Sequence, residues 1–135
     1  MVELAAFLLC DRAERDDASG KWTLHGVFDV VWAQGFPALH DRLDAYLRLR
    51  LGGIDGDQRF EVSFVCRAPS GAEQQTSGRP LAVSALGTAE AVCRFEALPF
   101  EAAGTYVLEA RVNGEVVAST ALVVQQSRAA AESLH

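Results

Sequence analysis

The sequence predicts an all-β chain, folded as one antiparallel β-sandwich of about eight strands, and three observations carry that expectation. Leu43, Ala45, Leu47, Leu49 and Leu51 alternate with Arg42, Asp44, Tyr46, Arg48 and Arg50. A period of two puts these sets on opposite faces of a strand, one for a core and one for water. Residues 104–124 hold two further runs around Asn113-Gly114, the dipeptide that most readily takes positive φ in a two-residue hairpin turn. Short apolar runs separated by Gly, Pro and Ser recur along the chain, without helical periodicity, internal repeat or heptad pattern. An up-and-down barrel shares these local signals and stays open at this point.

The elements follow in order. Residues 2–9 read as a first strand, apolar on both faces and therefore central or covered. Residues 10–21 read as a polar loop closed by Ser19-Gly20. Residues 22–32 form a long second strand in which Gly26 marks a bulge or bend. Gly35-Phe36-Pro37 connects it to the alternating third strand. The turn at residues 52–57 leads to a fourth, with Phe60, Val62, Phe64 and Cys66 inward and Glu61, Ser63 and Arg67 outward. Residues 68–78 are the longest polar segment and read as a loop, followed by weaker strands at 81–86 and 89–96. The hairpin comes last. Domain organisation is thus a sandwich over residues 1–125 and a polar tail over 126–135.

Composition limits the function classes. At 135 residues one domain can bury a core without disulfide or metal staples. A net charge of −6 and the lack of a dense basic cluster argue against nucleic acid or anionic membrane as partner. All basic residues but Lys21 are arginine and alanine is abundant, a bias suggesting a GC-rich bacterial genome. Residues 4–10 mimic a lipoprotein signal, but Glu3 replaces the positive n-region and bulky Leu9 precedes Cys10. A buried strand in a cytoplasmic protein is the better account. Cys10, Cys66 and Cys93 lack metal-ligand spacing and fall at apolar positions, so they read as reduced core thiols.

Gly104-Thr105-Tyr106-Val107-Leu108 resembles the tyrosine corner of immunoglobulin-like sandwiches, where a Tyr hydroxyl bonds back to the upstream backbone. Leu108 stands where antibody domains have a disulfide cysteine. Leu9-Cys10-Asp11, the run from Gly20 to Asp29, Phe36-Pro37-Ala38 and Val112-Asn113-Gly114-Glu115 together resemble a family of small bacterial proteins classed as a domain of unknown function. The likeness spans nearly the whole chain. It implies a single immunoglobulin-like or related sandwich and no catalytic residues.

No nucleophile elbow, His-x-x-x-His pair or phosphate-cradling glycine motif occurs, and the expectation is a non-enzymatic binding module without a cofactor. Val117, Ala121 and Val123 make the last strand apolar on its second face, which points to an interface with a second copy or another protein. Two alternatives use other residues. If strands alternate in direction, Asp11, Asp16, Asp17, Asp55 and Asp57 gather at one pole, where carboxylates could hold Ca²⁺. The spacing of a calcium loop is absent, so solvated turns are the simpler account. Trp22, Trp32, Phe36 and Tyr46 could stack on a sugar ring; of these, Tyr46 has the outward phase, and core aromatics are the commoner case.

Overall fold

The computed structural model describes residues 2–52 and 59–127. They form ten strands: β1 (Val2–Arg15), β2 (Trp22–Val27), β3 (Val30–Ala33), β4 (Ala38–Leu51), β5 (Glu61–Arg67), β6 (Glu73–Gln75), β7 (Arg79–Pro80), β8 (Thr88–Phe100), β9 (Gly104–Val112) and β10 (Glu115–Gln126). One sheet has the order β2-β1-β4-β8, the other β3-β10-β9-β5-β6, with β7 also on β5. Two separate sheets make a sandwich, not a closed barrel.

The alternating strand is β4, and its inward row behaves as its period demands. Leu43, Ala45, Leu47, Leu49 and Leu51 are all buried. They meet Phe64 and Cys66 of β5, Leu108 and Ala110 of β9, and Leu122 and Val124 of β10 in one core. Asn113-Gly114 turns β9 into β10 with positive φ at both residues, and Val112 pairs with Glu115 across the turn. The Tyr106 hydroxyl donates to the Ala102 carbonyl at 2.9 Å, the bond a tyrosine corner requires.

Four local expectations are corrected. The polar segment after Cys10 is strand as far as Arg15, in register with β2 from Cys10↔Val27 to Arg15↔Trp22. Its charged residues flank buried Ala13, so period two persists where polarity suggested a loop. The long second strand divides at Phe28-Asp29, just after Gly26, which takes a φ of 66° within β2. Thereafter β2 stays in the four-stranded sheet while β3 crosses over and runs parallel to β10. The sandwich is therefore antiparallel except for that pair.

Within residues 68–78, β6 pairs with β5, and Thr76 accepts from the Phe64 N–H through its hydroxyl at 2.9 Å. Residues 88–100 are one strand, β8, while residues 81–86 contribute only the Val83↔Ala89 bridge. Pro99 is accommodated because β8 lies at the end of its sheet.

All three cysteines are free and buried. Burial pushes the Cys66 and Cys93 thiols up to about 11, which disfavours the reactive thiolate.

Two substitutions test this packing by urea denaturation. Leu122→Ala, at a fully buried position, is expected to cost about 2–5 kcal/mol. Tyr106→Phe removes one hydrogen bond and should cost about 1 kcal/mol; no loss would show that the corner contributes nothing to stability.

Candidate functional site

Asp11, Asp16 and Asp17, three of the acidic residues expected at one pole, fall in different settings. Asp11 lies inside β1, not in a loop. Asp16 organises the turn between β1 and β2, accepting from the Ala18 N–H at 3.3 Å and the Ser19 hydroxyl at 2.7 Å. These bonds hold its carboxyl below the ordinary value. Asp17 sits 3.6 Å from Arg15. Asp55 and Asp57 lie outside the described residues. Among the described residues, no group of three or more His, Cys, Asp or Glu side chains is arranged to hold a metal.

On the outer face of the four-stranded sheet, β4 and its neighbours build a polar network. Asp44 is 1% exposed. It accepts from the Ala13 N–H at 2.8 Å and from Arg42 Nη2 and Nε at 2.8 and 3.2 Å, with Arg94 Nε 3.8 Å away. The Cys10 thiol donates to the Asp44 carbonyl at 3.6 Å. Further along β4, Tyr46 bonds the Glu90 carboxylate and its ring lies 6.1 Å from Trp22. Burial, then the Glu90 bond, pushes Tyr46 up to about 12. Tyr46 is buried, so it is not the exposed platform that its outward phase suggested. The side chains around it cover that face.

The six-stranded sheet carries a matching cluster. Glu109 accepts from Arg67 at 2.8 Å and Arg111 at 3.0 Å, and Arg67 also pairs with Glu73 at 2.9 Å. Partial burial opposes the charge, but the arginine bonds prevail and lower the Glu109 carboxyl from its ordinary 4.5. Both clusters are charge pairs, although the buried Arg111 Nε has no hydrogen-bond partner among the described residues. The two described histidines are equally engaged: His25 Nε2 lies 3.1 Å from Glu14, and the His40 ring stands between Phe28 and Phe100.

The unfinished surface is a flank. β2 covers β1 only from Cys10 onward, and β3 covers β10 only from Val123 onward. Among the described residues, the starts of both strands are therefore free sheet edges, and β1 and β10 contact each other across the sandwich. Val2 and Leu4 pair with buried Leu51 and Leu49, yet remain 41% and 47% exposed. Leu8 and Val116 are exposed beside them. The interface residues expected from sequence sit nearby on β10. Val117 occupies the bulge against β9 and packs partly on the core. Ala121 is exposed and Val123 half-buried.

Reading β1 as apolar on both faces held the signal for this flank. Period two said nothing of which strand would cover it.

Acidification tests the Glu109 cluster. Its folded carboxyl titrates below the unfolded one, so its stabilisation is full above about pH 5 and is lost as pH falls through the folded value. Melting temperatures measured from pH 7 to 3 should fall more steeply for the wild type than for Glu109→Gln. Parallel curves would remove Glu109 from the acid response.

Among the described residues, no helix is long and apolar enough to cross a membrane. None of the curated proteins matches the chain. The Pseudomonas fluorescens alkylpurine DNA glycosylase AlkC, solved bound to DNA containing an abasic site analog, is similar in fold with a TM-score of 0.61 at 12% identity. That likeness covers 92% of this chain but 30% of the glycosylase chain, so it speaks for the fold alone. Residues 5–125 match a family of unknown function, DUF6941. That match takes in the whole core, and the chain belongs to this family.

Proposed function

We propose that the protein is a non-enzymatic interaction module that associates with a second copy of itself through the open flank of β1 and β10. The observation that carries this reading is the half exposure of Val2 and Leu4, directly across from core residues. Core-phase side chains left in water gain when another apolar surface covers them, by about 25 cal/mol per Å² of apolar area.

The edges at β2, β6 and β7 support the choice by contrast, and the long edge strand β8 carries Arg94 and Pro99. β6 and β7 are three and two residues long, and Arg79 of β7 donates to the Val92 carbonyl of β8 at 2.7 Å. β2 is short and preceded by Lys21. Short strands and cations are the usual protection of an edge against pairing. The flank has neither: residues 2–9 hold no Lys, Arg or Pro and one charge, Glu3. A bulge at Ala5 twists the strand without polar cover. A nearly uncharged surface suits a copy of itself, since like charges then do not meet across a two-fold axis. Three free cysteines support placement in a reducing, cytoplasmic compartment.

Light scattering at tens of micromolar tests this reading. The wild type is expected to run as a dimer and Leu4→Lys, which puts a cation on the flank, as a folded monomer. A wild type that stays strictly monomeric would end the proposal.

A further inference from the structure

A second concavity lies on the same side of the sandwich, where the chain leaves β2 and crosses to β3. It has a volume of about 390 Å³ and is lined by Asp11, Gly26, Phe28, Trp32 and His40, with Val27, Val30 and Val31. Three features distinguish it. Trp32 is 61% exposed, although an indole gains more from burial than any other side chain. Asp11 shares the inward phase of core residue Leu9, and its carboxylate makes no hydrogen bond or ion pair among the described residues. Gly26 supplies the space: a Cβ there would stand 2.2 Å from Asp11 Oδ2, so any side chain would displace the carboxylate. No Lys or Arg lines the cavity.

An anion and an aromatic face, without a cation of the protein's own, define the chemistry that fits. A guanidinium is planar and weakly hydrated; it stacks on an indole and forks onto a carboxylate with two N–H donors. The chain's charge of −6 draws such a group in. We infer that the Asp11–Trp32 notch is a receptor for an arginine side chain presented by a partner protein. The inference is independent of self-association, because it uses neither Val2, Leu4, Leu8 nor Val116. A pyranose could stack on the same indole, but a neutral ring leaves the carboxylate's charge unanswered. A response to sugar is therefore an opposing outcome of the test.

Titration of the ¹⁵N-labelled full chain with N-acetyl-arginine amide at constant ionic strength tests it, read at the indole N–H signals. Two tryptophans give two indole signals, and Trp32→Phe assigns them. The expected result is a saturable shift of the Trp32 signal, with a Kd of about a millimolar for one isolated side chain, while Trp22 stays put. Asp11→Asn, at an exposed site, should keep the dispersed spectrum and weaken binding by about tenfold. N-acetyl-citrulline amide, of the same shape but neutral, should give no saturable shift. An equal response to citrulline, undiminished binding in Asp11→Asn, no shift at tens of millimolar, or saturation by methyl glucoside instead would each overturn the inference.

Discussion

Everything in this sandwich depends on the inward row of β4. Five consecutive core-phase residues, four of them leucine, lie between β1 and β8 and face the terminal hairpin across the core. Their phase allows no slip. A shift of one residue would bring Arg48 and Arg50 into the core and expose the leucines, reversing many buried side chains at once. The register of both neighbours is held by this cost. The sheet's outer face then inherits Arg42, Asp44 and Tyr46 without a choice.

That inheritance explains the polar clusters on the two outer faces. Asp44 would be an expensive burial alone, but the Ala13 N–H and Arg42 satisfy both carboxylate oxygens. Glu109 is answered by two arginines in the same way. Charge here closes surfaces over the middle of each sheet. Arg67, bridging Glu73 and Glu109, also ties short β6 to the sheet. Apolar side chains such as Val2 and Leu4 are left in water at the flank instead.

The flank and the notch share one structural cause. β1 is fourteen residues long, β2 only six, and at Phe28-Asp29 the chain turns to the other sheet before β1 is covered. The diversion leaves the first half of β1 bare beside the start of β10. At the crossing it opens the cavity in which Asp11 and Trp32 stand. One bend in the backbone thus creates both surfaces to which a function is assigned here. Acid loops and the two outer faces contribute neither.

Local features were legible in the sequence because their physics is local. Alternation over residues 42–51 sets the faces of β4 whatever its neighbours are. Asn113-Gly114 makes its turn from its own φ preferences, and Tyr106 reaches Ala102 only four residues away. Gly26 announced a break in strand two, but whether the chain would resume beside β1 or β10 depends on a pairing with residues 123–126. Burial of Tyr46 and exposure of Trp32 invert what their positions suggest, since Trp22 and Glu90 approach one of them from other strands while nothing covers the other. The sequence by itself determined the periods, the turns and which side chains must share a core. The tertiary structure alone decided which edges were left without a partner, because an edge is free only when every other strand has been placed.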